Sequence, residues 1–112
     1  MSMILKTGQV TYNLGPLARL PHGEGRTFQI GTHSIAVFRT RNDELYATQA
    51  ACPHKGGPLA DGLVGDGKVV CPLHSYKFQL ATGASIGNTC AALETYPITL
   101  SPDGDILLSL DA

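Results

Sequence analysis

The chain has 112 residues, of which 43% are hydrophobic and 15% charged, and this composition excludes a disordered or collagen-like protein. Eight Lys and Arg residues against nine Asp and Glu give a net charge of −1, so no general field attracts nucleic acid or an anionic membrane. The apolar runs are too short to cross a bilayer, and the start lacks the apolar stretch of a secretory signal. We therefore predict a single cytoplasmic domain over residues 1–112, with neither nucleic acid nor a membrane as partner.

Short strands separated by turns are predicted along the whole chain. Thirteen Gly and seven Pro residues interrupt it, and no window keeps the 3.6-residue apolar period of a helix for long. The predicted strands cover residues 9–14, 26–30, 34–40, 44–49, 68–70, 76–80, 94–100 and 105–110. The rest of the stretch between Cys52 and Cys71 is predicted as Gly-rich loop. This pattern indicates an all-β fold, an antiparallel β-sandwich or small barrel with a loop-built subsite at about residues 50–80.

Two Cys-His pairs carry the clearest chemical signal in that subsite. Cys52-x-His54 comes first, and Cys71-x-x-His74 follows after sixteen intervening residues. Each pair offers one thiolate and one imidazole, so two loops lying side by side would offer two of each. A disulfide framework explains these cysteines poorly, because the chain has three of them and two stand within three residues of a histidine.

The two pairs resemble those of the Rieske [2Fe–2S] family in order and in separation. Two glycines and Pro58 follow the first pair, and a proline follows each of the two cysteines. The resemblance extends over about residues 9–110. It implies a Rieske-type fold with one [2Fe–2S] cluster, in which Cys52 and Cys71 hold one iron and His54 and His74 hold the other. A structural Zn²⁺ site is the alternative, but one residue between Cys52 and His54 is short for paired zinc ligands.

The resemblance also distinguishes between classes of Rieske protein. High-potential members join their two ligand loops by a disulfide, and the matching positions here are Gly57 and Leu73. Ser75-Tyr76 stands where those members have Gly-Ser, which implies fewer hydrogen bonds to the cluster sulfurs. The family comparison therefore implies a low-potential, ferredoxin-type centre.

The segments that follow the ligands are similar to the small subunit of assimilatory NAD(P)H nitrite reductase. These segments are residues 71–78, 81–83 and 88–97. Dioxygenase ferredoxins typically have Trp where this chain has Leu73, and the chain contains no Trp. The similarity implies electron transfer to a large nitrite reductase subunit, with no catalytic activity of the chain alone. The alternative is a ferredoxin that takes electrons from a reductase and delivers them to an aromatic-ring dioxygenase, and a redox-sensing regulator also stays open.

Five further residues have competing interpretations. Cys90 is expected to be a small buried core residue without a function, because it lies outside both loops. His22 and His33 are expected on the solvated surface. Lys55 is either a solvated loop charge or a residue that steers an acidic partner. Tyr76 either donates a hydrogen bond toward a cluster sulfur or packs in the core.

Overall fold

In the computed structural model, antiparallel strands in three sheets make up most of the described chain, which comprises residues 9–53, 55–73, 75–88 and 90–111. Two short 3-10 turns, Leu17–Arg19 and Leu59–Asp61, are the helical segments of that part. None of its helices has the length and apolar character needed to span a membrane. The predicted all-β fold is confirmed.

Two of the sheets pack together and form the base of the molecule. The strands of the first sheet, in spatial order, are β1 (Gln9–Pro16), β11 (Asp105–Asp111) and β10 (Ile98–Leu100). Those of the second are β2 (Glu24–Ile30), β3 (His33–Arg39), β4 (Leu45–Gln49) and β9 (Thr95–Tyr96). Their facing side chains, together with Leu20 from the segment between β1 and β2, form a first core; its other members are Ile35, Val37, Ala47, Ile106, Leu108 and Leu110.

The third sheet carries the ligand loops and has its own core. Its strands, in order, are β5 (Leu63–Gly65), β6 (Lys68–Val70), β7 (Lys77–Gln79) and β8 (Ser85–Ile86). This second core contains Ala36, Phe38, Cys52, Leu59, Ala60, Val69, Cys71, Phe78, Leu80 and Leu93. Both cysteines of the predicted site therefore belong to a packed apolar cluster.

Strand β3 joins the two cores because it is buried on both faces. Successive side chains of a strand point to opposite sides of the sheet. Ile35 and Val37 accordingly enter the first core, whereas Ala36 and Phe38 enter the second. The run Ile-Ala-Val-Phe thus ties the third sheet firmly to the base.

The structure corrects the sequence prediction at three places. The predicted loop between the cysteines contains β5, which pairs with β6 through a tight turn at Asp66 (φ 54°) and Gly67 (φ 72°). The predicted strand 94–100 is two strands: β9 pairs with β4, and β10 pairs with β11 after Pro97. Gly15 does not end the first strand, because β1 continues to Pro16 with a shift in register.

Gly62 sets how closely the chain can approach the third sheet. A Cβ atom at this position would lie 2.2 Å from the carbonyl oxygen of Val70 and 3.1 Å from that of Leu59. Both neighbours are backbone atoms, so neither can move aside without shifting a strand or a turn. Only a residue without a side chain fits where the chain passes this close to the backbone of Val70.

Gly62→Ala should destabilise the fold by about 2 kcal/mol through this overlap, with the melting temperature falling by roughly 10 °C. Gly65→Ala is the matched control, because a Cβ there meets no atom within 4 Å. We expect the control to melt within a few degrees of the wild type in circular dichroism. Equal melting temperatures for the two variants would contradict the close approach.

Candidate metal centre

The first ligand loop is closed by hydrogen bonds of its own backbone. The amide of Cys52 donates to the carbonyl of Gly57 (2.8 Å), and the amide of Gly56 donates back to the carbonyl of Cys52 (2.7 Å). Gly56 adopts φ 74°, which a residue with a side chain rarely takes. The loop therefore folds back tightly and holds the Cys52 thiol on its inner side.

The second loop is built in a similar way. The amide of Cys71 donates to the carbonyl of Tyr76 (2.7 Å), and the amide of Leu73 donates to the Cys71 sulfur (3.4 Å). Ser75 adopts φ 58°, an uncommon conformation for a residue other than Gly, Asn or Asp. The sequence prediction noted the replacement at Ser75 but not this strained backbone.

The two loops bring the thiols of Cys52 and Cys71 together in the second core. Cys52 has 2% of its surface exposed and Cys71 has 1%, and the two side chains lie close enough to interact. Burial raises the pKa of the Cys71 thiol and the adjacent Cys52 raises it further, while the Leu73 amide acts in the opposite direction. Burial thus favours the protonated form of the Cys71 thiol, and a bound metal cation would replace that proton.

The loops touch at Gly57 and Leu73, the positions singled out from the sequence. A Cβ atom on Gly57 would lie 3.0 Å from the Cys71 sulfur and 3.0 Å from Leu73 Cγ. Cys52, Cys71 and Cys90 are all free thiols. Gly57 and Leu73 thus make an apolar contact at the two positions where high-potential Rieske proteins have the cysteines of a disulfide.

His54 and His74 lie outside the described residues. Their chain neighbours Pro53, Lys55, Leu73 and Ser75 are all exposed. Of the four predicted ligands, the structure describes the two cysteines, and it places them together in the second core. A pair of buried thiolates is a suitable donor set for one iron of a [2Fe–2S] cluster, so the described residues fit this group.

The structure also shows the positions of the other residues considered from the sequence. Cys90 packs against the second core as expected, although it is half-buried there. Tyr76 is also half-buried against that core. His33 is exposed, as expected. His22 is exposed as well, and its Nε2 lies 2.7 Å from a carboxylate oxygen of Asp43.

Comparison with known proteins identifies the family. The model of the Rieske [2Fe–2S] domain matches residues 10–97. The chain belongs to this family. It is 37% identical over 89 residues to the anthranilate 1,2-dioxygenase ferredoxin subunit of Burkholderia cepacia, covering 80% of this chain and 78% of that protein. The family carries a Rieske-type [2Fe–2S] cluster and functions in electron transfer.

Solved structures share the same architecture. A protein from Mycobacterium tuberculosis, assigned as the small subunit of an NADH-dependent nitrite reductase, superposes with a TM-score of 0.86 at 24% identity. That superposition covers 93% of this chain and 97% of that one, and it establishes the fold. A second structure, assigned as the small subunit of an NADPH nitrite reductase, has a TM-score of 0.79 at 26% identity and covers 88% and 95% of the two chains.

Gly57→Ala should disturb this Rieske centre through the methyl group it adds against Cys71 and Leu73. We expect the purified variant to retain less than about half of the wild-type iron and sulfide, because the loops must separate by a few tenths of an ångström. Gly65→Ala, with open space at its Cβ position, should retain the full content. Wild-type content and an unchanged visible spectrum in Gly57→Ala would show that the close contact is not needed.

Proposed function

We propose that this Rieske domain is the electron-transfer subunit of an assimilatory nitrite reductase. The supporting observation is the buried thiol pair of Cys52 and Cys71, held by two closed loops whose other described residues are largely exposed. A cofactor at this pair lies just beneath the protein surface, within reach of a docked partner. When bound, the cluster accepts and donates one electron at a time.

We further propose Cys52, His54, Cys71 and His74 as the four ligands of that cluster. Two thiolates and two neutral imidazoles, together with the two sulfides of a bound cluster, would balance the charge of two ferric ions, so this ligand set would favour reduction more than four thiolates. The residues around the ligands hold the loops closed and exclude water. The chain supplies no reaction chemistry of its own, and catalysis takes place on a large, sirohaem-containing subunit.

One observation favours nitrite reductase as the enzyme served. Leu73 occupies the position at which dioxygenase ferredoxins typically have Trp, and it packs against Gly57 of the other loop. We also propose a cytoplasmic location, which agrees with the free thiols of the three cysteines.

A dioxygenase ferredoxin is the second candidate. It is favoured by the 37% identity to the anthranilate 1,2-dioxygenase ferredoxin subunit over 80% of the chain. Both candidates require the same cluster and the same exposed end of the molecule. They differ in the partner, which genetics can decide.

Replacing any proposed ligand by Ala should abolish cluster binding. We expect wild-type protein purified without oxygen to contain two irons and two acid-labile sulfides, and the Cys52→Ala, His54→Ala, Cys71→Ala and His74→Ala variants to contain little of either. Cys90→Ala is the matched control, since it removes a thiol of the same core outside the two loops. A colourless wild type with one stoichiometric zinc would overturn the cluster assignment, and a variant with the full spectrum would remove that residue from the ligand set.

Deletion of the coding sequence from the host should abolish growth on nitrite as sole nitrogen source, while growth on ammonium stays normal. The wild-type sequence should restore growth, and the Cys71→Ala variant should not, because it cannot hold the cluster. Normal growth on nitrite together with loss of an aromatic-ring oxygenase activity would instead establish the dioxygenase ferredoxin.

A further inference from the structure

The cluster end of the molecule differs in charge from the rest of the chain. We define the tip surface as residues 51–53, 55–58, 71–73, 75–77, 84–88 and 90–92, which are the described parts of the two ligand loops and of the segment beside the second loop. It contains Lys55 and Lys77 but no Asp or Glu, and so carries a charge of +2. The remaining chain has six basic and nine acidic residues and carries −3. The net charge of −1 is therefore the sum of a positive tip surface and a negative remainder of the chain.

The two lysines of the tip surface have no counter-charge among the described residues. Both side chains are exposed, and neither takes part in an ion pair there. The basic residues that do form such pairs with carboxylates, Arg39 and Lys68, lie outside the tip surface. Lys55 and Lys77 are thus available to an acidic partner.

An exposed apolar centre accompanies these lysines. Leu73 remains 41% exposed although it packs against Gly57, and Pro53 and Pro72 are exposed beside the ligand positions. An open cleft of about 380 Å³ extends the surface toward the third sheet, lined by Ser75, Tyr76, Lys77, Ile86, Gly87 and Asn88. Protein interfaces typically combine an apolar centre that excludes water with a charged rim that guides the encounter.

We propose that the tip surface docks onto a protein surface on which carboxylates surround an apolar patch close to the partner's own redox cofactor. This inference rests on the proposed electron transfer, because docking at this end brings the two cofactors within reach of each other. An anionic lipid surface is disfavoured, since two lysines contribute only about 1 kcal/mol each to membrane attraction. The lysines act on the rate of encounter, and Leu73 on the close contact that follows.

The local field can be measured with small oxidants of known charge. Reduced, cluster-loaded protein is mixed in a stopped-flow instrument with ferricyanide, an anion, or with tris(phenanthroline)cobalt(III), a cation. At low ionic strength, Lys55→Glu and Lys77→Glu should each slow oxidation by ferricyanide about threefold, and the double variant about tenfold, while oxidation by the cobalt complex becomes faster. Added salt should remove these differences.

Arg26→Glu provides the matched control, because Arg26 is an exposed residue of β2 and its replacement changes the net charge by the same amount as each single variant. We expect it to change either rate by less than about 1.5-fold. Equal effects of Arg26→Glu and Lys55→Glu would show that only the net charge matters and would overturn the inference. Lys55→Gln and Lys77→Gln should give intermediate rates if the charge itself is responsible.

The partner chemistry is tested with cytochrome b5, whose haem edge is surrounded by carboxylates. Its reduction by the wild-type protein should slow as salt increases, and the lysine variants should lose that dependence. Leu73→Ser should lower the limiting rate at saturation but keep the salt dependence. Rates independent of salt, or co-sedimentation of the protein with phosphatidylserine vesicles in place of a salt-dependent reaction, would overturn the proposed acidic protein partner.

These outcomes are distinguishable from failure of the proposed function. A protein that contains no cluster, or whose cluster does not exchange electrons with either inorganic oxidant, would contradict electron transfer itself. A protein that exchanges electrons normally but does not respond to the lysine variants would contradict only the proposed docking chemistry.

Discussion

The metal centre depends on one packing constraint: two buried thiols on separate loops must lie close enough to bind the same metal ion. Each loop is closed by the amide of its own cysteine, Cys52 to Gly57 (2.8 Å) and Cys71 to Tyr76 (2.7 Å). The loops then meet at Gly57, where even a methyl group would come within 3.0 Å of the Cys71 sulfur. Gly57 thus allows a close contact between the loops at the position where high-potential members of the family have a disulfide.

The support for the loops comes from strand β3. Its four consecutive apolar residues are buried on both faces, so the base core and the core beneath the thiols share one element. A displacement of the third sheet would expose apolar surface on β3, at a cost of about 25 cal/mol per Å². The hydrophobic effect thus fixes the loops relative to the base, and hydrogen bonds fix their internal shape.

The sequence predicted the family better than the strands around the site. The order and spacing of the two Cys-His pairs were sufficient to indicate the Rieske family by resemblance, and the family match over residues 10–97 confirms that prediction. Strand β5 was missed because it has only three residues, follows Gly62 and ends in Gly65, so the segment has the composition of a loop. Residues 94–100 were predicted as one strand, whereas the structure divides them at Pro97 between two sheets. The side-chain pattern could not reveal this, because it does not specify which sheet a strand joins.

The polarised charge bears on how such a small domain can work. An electron carrier must find its partner quickly and also release it, and an interface with a large apolar area would release it slowly. Charges at the rim accelerate the encounter without much prolonging the complex. With Leu73 as a small apolar centre and lysines beside it, the tip surface favours frequent, short encounters, so that changes at Lys55 should act mainly on association and changes at Leu73 mainly on the bound state.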